Sequence, residues 1–232
     1  MNNESYQVKK FSKAEILLAI LALGSICGLI EVVFSGLLSK MGFPYRSALL
    51  VGLGFGVIGF GYAIFRKPLL AVWIGLVAIF CKQLGVLILN VSVMCKMNSC
   101  VAVFLEYAAL AIIAITLMSK MTEKISARLI TGGAAALIGA GAFYFIGMRV
   151  APCNYLLSFN HAGGLVDFMV AEGLVWAGFS IVLFPLGWLA GEKASGKIGN
   201  IIFSKPRLFY AETALTTIFC VAICAIAVAN GF

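Results

Sequence analysis

Seven stretches of this chain are each apolar for close to the ~18–20 residues that a helix needs to cross hydrocarbon. They run over about 14–38, 45–65, 68–93, 101–119, 127–148, 165–191 and 209–232. A backbone inside lipid must satisfy its own hydrogen bonds, so such runs predict membrane-spanning α-helices. Hydrophobic residues make up 62% of the 232 and charged residues 11%, far too little charge to cover a soluble domain. The runs are apolar all round, without the polar back of a soluble core helix. They also lack the alternation of a transmembrane β-barrel. The expected fold is all-α, a polytopic transmembrane helix bundle of six or seven spans, the last being peripheral in the six-span case. The first run carries Glu31 and no small-x-small cleavage site follows it, so it reads as a retained helix and not a signal peptide. The connections are too short for a separate catalytic domain. Residues 1–232 therefore form one integral membrane domain, with 1–13 as a basic cytoplasmic segment.

The net charge of +8 sits in the connections. In that position it points to topology and to anionic membrane lipid, not to nucleic acid. With the N-terminus cytoplasmic, twelve basic residues fall inside: Lys9, Lys10, Lys13, Arg66, Lys67, Lys120, Lys124, Arg128, Lys193, Lys197, Lys205 and Arg207. Four fall outside, namely Lys40, Arg46, Lys96 and Arg149, and Lys82 lies within a span. The expectation is a multi-pass cell-membrane protein with its N-terminus in the cytoplasm. Seven spans put the C-terminus outside. The longest inside connection, 192–208, reads as a surface helix or a contact for a cytoplasmic partner. The longest outside one, 149–164, reads as a structured lid or re-entrant turn.

Glycine is spaced for helix packing. The second span holds Gly52, Gly54, Gly56, Gly59 and Gly61, and the fifth holds Gly132, Gly133, Gly139 and the small residues Ala136 and Ala140. Small residues let helices approach closely in lipid. Internal packing is the simpler reading, and a docking face for a membrane partner is the alternative.

Ionisable groups inside spans carry the functional signal. A charge near the bilayer centre costs at least ~2.5–3.5 kcal/mol unless it meets a cavity, a partner or a pathway. Glu31, Lys82 with Gln83, Glu106, Asp167 and Glu172 all fall in the middle or outer part of the membrane on this orientation. The inner halves show only the end-of-span Glu15 and Glu212. The asymmetry predicts a polar pocket open to the outside, in which Lys82 neutralises Glu31 or Glu106. A mixed-charge pocket suits a zwitterionic or amine-bearing solute. The competing reading is structural ion pairing, or snorkelling to the interface.

Of the seven cysteines, Cys27, Cys81, Cys220 and Cys224 lie within spans and read as apolar fillers. Cys95, Cys100 and Cys153 fall outside, where a disulfide is permitted: Cys95–Cys100 as a staple, or either one to Cys153. With His161 they supply soft-metal ligand types, but at the spacing of no compact metal motif. No HExxH, Walker A loop, GxGxxG before a strand or GxSxG is present. The expectation is a protein that is not an enzyme, with no cofactor and no metal.

Gly28-Leu29-Ile30-Glu31, Pro44-Tyr45-Arg46-Ser47, Gly52-Leu53-Gly54, Lys67-Pro68, Lys82-Gln83 and Glu106 follow one another through the first four spans. In length, span count and layout the chain resembles the substrate-binding S components of energy-coupling-factor transporters. The resemblance extends to the small residues Ala14, Ala19, Ala22, Gly24 and Gly28 of the first span. It implies capture of a small vitamin-like or metal solute from outside. It also implies a transmembrane coupling subunit, docked on that small-residue face, and partner ATPases.

The expected function is therefore a solute-binding subunit of an uptake transporter, with Glu31, Lys82, Gln83, Glu106, Glu172 and Asp167 as the candidate solute contacts. Three other classes compete with it. A proton-coupled carrier working alone predicts polar groups continuing into the inner half. A membrane redox or quinone-linked protein predicts a reactive thiol pair among Cys95, Cys100 and Cys153. A structural or assembly subunit of a larger membrane complex predicts no solute.

Overall fold

The computed structural model describes residues 11–89 and 92–231, with Cys95 by its backbone alone. Most of the basic 1–13 segment lies outside the described residues. Among those described, the fold is all-α: seven helices are long and apolar enough to cross a membrane, and no strand is formed. We number the helices α1 (Lys13–Lys40), α2 (Arg46–Phe65), α3 (Leu70–Leu89), α4 (Met97–Glu123), α5 (Ile125–Val150), the short α6 (Asn154–Leu157), α7 (Gly164–Ser204) and α8 (Pro206–Ala229).

Local chemistry sets several boundaries. Ser12 caps α1 in a capping box: its Oγ accepts from the Glu15 N–H at 3.2 Å, while Glu15 Oε2 accepts from the Ser12 N–H at 2.7 Å. Glu15 is thus accounted for as a cap. Arg66 ends α2 with φ of 53°, the left-handed position where glycine is the easier residue. Pro206 opens α8 at its first turn, where a missing N–H costs nothing.

The 192–208 connection, for which a surface helix is one expectation, is helical but is not a separate helix. α7 continues unbroken to Ser204, and only Lys205 separates it from α8. At 41 residues α7 is about 60 Å long by helical rise, twice the ~30 Å hydrocarbon thickness. The hydropathy fall at Glu192 marks the end of the apolar run, not the end of the helix.

α2 is the central helix and packs along α7. Their crossing is backbone on backbone. A side-chain carbon at Gly187 would run into the Gly56 carbonyl, and one at Gly59 would meet the carbonyl of Phe184. Gly52 faces Phe179 and Leu183 in the same seam, while Gly132 and Gly133 of α5 seat against Ser180 and Ile181 of α7. The Tyr107 ring of α4 fills the notch between Gly54 and Gly75. These glycines pack the bundle internally.

The small residues of α1 do the same. Gly24 closes on Val77, Gly28 on Cys81, and Ala19 and Ala22 are buried. The face that the resemblance assigns to a coupling subunit is covered by α3 of this chain; Ala14 alone of the five is exposed. α8 packs on α1 and α3, touches α7 and is otherwise largely open. Cys81 and Cys224 sit in that junction with Val32 and Val228 as buried fillers. Large apolar side chains such as Trp73, Phe80, Ile112, Leu215 and Phe219 are exposed, as expected of a surface solvated by lipid. The chain is a multi-pass membrane protein.

Candidate functional site

Two helices of this bundle are interrupted by a π-helical turn, and each interruption carries a carboxylate. In α1 the turn is Ile30–Phe34, holding Glu31; in α7 it is Met169–Gly173, holding Glu172. An inserted residue re-aims the side chains around it and loosens the regular ladder, and such turns concentrate at functional sites. Both carboxylates line one cavity of about 740 Å³ at the end of the bundle that carries the 41–45 and 151–163 connections. That volume falls within the ~300–1,000 Å³ of small-molecule sites.

Four of the six sequence-predicted residues line this cavity: Glu31, Lys82, Glu106 and Glu172. Lys82 Nζ donates to Glu31 Oε2 at 2.5 Å, and the two side chains are 9% and 6% exposed. The pair joins α1 to α3. Glu106 of α4 is 3% exposed, and its charged neighbours are Glu31 and Lys82. Its carboxyl makes no hydrogen bond to any described residue. Gly139 of α5 makes its position possible, because a side-chain carbon there would lie 3.0 Å from the Glu106 Cα.

Glu172 is held differently. Oε2 accepts from Ser47 Oγ at 2.7 Å and from the Trp176 indole N–H at 2.8 Å. Oε1 accepts from the Tyr155 hydroxyl at 2.6 Å. Partial burial, and then the Glu172 carboxylate, hold the Tyr155 hydroxyl above its ordinary pKa, so it remains a donor at neutral pH. Glu172 thus ties α7 to α2 and to α6, and the 149–164 connection is anchored over the cavity, not a free linker.

Two expected contacts lie elsewhere. Gln83 does not line the cavity; its amide nitrogen donates to Cys100 Sγ at 3.2 Å. Adjacent residues on a helix point about 100° apart, so Gln83 cannot share the direction of Lys82. Asp167 is also absent from the lining; its side chain is 60% exposed and faces His161 Nε2 at 3.8 Å.

Cys100 and Cys153 are free thiols, so none of the three candidate disulfides is formed; the side chain of Cys95 lies outside the described residues. Cys100 is buried in the first turn of α4 and not in an outside loop, because the helix begins at Met97 and takes in the polar Asn98 and Ser99 ahead of the apolar run. Cys153 Sγ accepts from the Leu156 N–H and caps α6. Among the described residues, no three side chains of His, Cys, Asp or Glu converge as a metal site.

The chain matches no protein-family model, no curated protein and no solved structure. Its chemistry is therefore carried by its own geometry.

A second polar cluster occupies the opposite, basic end. Arg128 forks onto Glu192, Nη1 to Oε2 at 3.1 Å and Nη2 to Oε1 at 2.8 Å, while its Nε donates to the Met121 carbonyl at 2.7 Å. The Trp188 indole N–H donates to Glu192 Oε1 at 2.8 Å, and the Arg66 and Arg128 guanidinium carbons lie 4.7 and 5.1 Å from the centroid of its ring. The sequence reading missed this cluster because Glu192 and Arg128 were assigned to connections. The available signal was the order of α7 itself: Glu172-x3-Trp176 near one end and Trp188-x3-Glu192 near the other, each pair one turn apart on a helix.

Proposed function

We propose that this protein is the membrane-embedded solute-binding subunit of an uptake transporter, energised by partner subunits. One observation carries the reading. The cavity gathers Glu31, Lys82 and Glu106, each less than 10% exposed, at one end of a helical membrane bundle. Burying three ionisable groups in a membrane protein is costly and is ordinarily found where a solute or ion is handled. The basic residues favour a cytoplasmic position for the opposite end, which makes the cavity face outward. The sequence offers no nucleotide-binding loop, so the energy of transport comes from partners. In layout this agrees with the resemblance to energy-coupling-factor S components, although a coupling subunit has to dock on a surface other than the covered small-residue face of α1.

Native mass spectrometry of the gently solubilised protein tests the proposal. The wild type is expected to retain a small molecule that Glu31→Gln, Lys82→Met and Glu106→Gln release. Retention with unchanged affinity in all three variants defeats it.

The cluster at the basic end favours one alternative, a carrier that works alone. Arg128 and Glu192 close the bundle opposite the cavity, and Ser180 and Thr131 are fully buried polar residues of α7 and α5. Polar groups thus do continue along the bundle. Proteoliposomes holding only this chain distinguish the two: solute accumulation driven by a pH gradient supports the carrier, and binding without accumulation supports the subunit.

A further inference from the structure

Three carboxyls line the cavity, and the protein itself satisfies two of them. Glu31 is paired with Lys82, and both oxygens of Glu172 are occupied by Ser47, Trp176 and Tyr155. Glu106 is left with no hydrogen bond to any described residue, although it is 3% exposed and faces the cavity. An ionised carboxyl so enclosed is unfavourable unless it is protonated or met by a cation, and an incoming cationic group supplies the second. Counted with its two charged neighbours, the Glu31–Lys82–Glu106 group carries one negative charge in excess when all three are ionised.

The wall beside Glu106 is aromatic. Gly139 lies against the Glu106 backbone, and Phe143, one turn further along α5, also lines the cavity. Phe143 packs with Phe168 and Trp176 at centroid distances of 6.3 and 6.2 Å, and all three rings line the cavity. A carboxyl and aromatic side chains lining one cavity can recognise an ammonium group, through the ion pair and, where a ring face meets the cation, through the ring quadrupole. The rings then accept the apolar body of the same molecule.

The geometry points to an organic ammonium compound with an aromatic or apolar body as the ligand, its cationic nitrogen on Glu106 and its body against Phe143, Phe168 and Trp176. This assignment rests on the cavity being a solute site, as proposed above. It narrows the class: Lys82 is held by Glu31, and the other two basic residues of the lining, Arg46 and Lys96, stand at the outer ends of α2 and α4, so among the described residues only Glu106 offers an unpaired charge at depth.

The test is titration calorimetry on the full chain in nanodiscs with matched probes. Tryptamine, phenethylamine and benzyltrimethylammonium are the cations; N-acetyltryptamine and indole-3-acetate are the uncharged and anionic controls. At least one cation is expected to bind at least about tenfold more tightly than either control, a discrimination of about 1.4 kcal/mol. Glu106→Gln is expected to abolish that preference. Phe143→Leu, which keeps an apolar side chain, is expected to weaken cation binding by about threefold or more and to leave the controls unchanged. The assignment is overturned if no cation is preferred over the controls, or if the preference survives Glu106→Gln in correctly folded protein. Should a control bind and be lost in Lys82→Met, the cavity remains a solute site of the wrong predicted class. No binding by any probe, together with no small molecule retained in native mass spectrometry, removes both readings.

Discussion

Lys82 Nζ and Glu31 Oε2 lie 2.5 Å apart in the lining of the cavity, joining the π-helical turn of α1 to α3. Each side chain is less than 10% exposed, so the pair is shielded from solvent screening. Its energetic value is asymmetric. The intact pair adds little net stability against an apolar replacement, whereas removing one partner leaves a buried charge unpaired.

Lys82→Met is therefore expected to destabilise the folded protein by about 3–5 kcal/mol. Glu31→Gln combined with Lys82→Met should recover most of that loss. Thermal unfolding in one detergent measures both. Additive losses in the double variant would show that the two side chains do not depend on one another.

At the other end, Arg128 and Glu192 form a two-pronged pair that Trp188 completes. A double-mutant cycle on Arg128→Ala and Glu192→Gln is expected to return a coupling of about 2 kcal/mol. Any solute that the wild type retains should be unchanged in the single variants, since neither residue lines the cavity. A coupling near zero would mean that the cluster does not fasten α5 to α7.

Gly187 and Gly178 stand in the same helix and should respond oppositely to alanine. At Gly187 an added methyl meets the Gly56 backbone, and overpacking of this kind costs about 1–3 kcal/mol. At Gly178 nothing lies within 4 Å, and alanine in place of helical glycine stabilises by about 0.5–1 kcal/mol. Melting temperatures of the two variants should move in opposite directions.

Membrane orientation can be read chemically. In a background without native cysteines, Met41→Cys lies in the connection at the cavity end, while Lys67→Cys and Lys124→Cys mark the basic end. An impermeant maleimide applied to intact cells is expected to label Met41→Cys and spare the other two. The reverse pattern would place the cavity on the cytoplasmic side.

The Tyr155 hydroxyl fastens the 149–164 connection to Glu172. Tyr155→Phe removes that donor and should expose the amides around 154–158 to faster hydrogen exchange, with the helices of the bundle unaffected. Unchanged exchange would mean that packing of Leu156, which is fully buried, holds the connection by itself.

Helix type, and a span number of six or seven, were legible from hydropathy alone, because lipid leaves a long apolar backbone no other way to satisfy its hydrogen bonds. The same held for four cavity residues: Glu31, Lys82, Glu106 and Glu172 are conspicuous because charge in an apolar run is expensive wherever it points. Direction was not legible. Gln83 and Asp167 fall in equally apolar surroundings yet turn toward Cys100 and His161, and nothing local distinguishes them from their neighbours. The π-helical turns at Glu31 and Glu172 have no residue signature and arise where packing between helices accommodates an extra residue. Glu192 escaped notice for a related reason. Hydropathy marks where lipid ends, but whether the helix continues and meets Arg128 depends on its neighbours in space. One-dimensional patterning reports the solvent around a segment; the aim of each side chain comes from the contacts that segment makes.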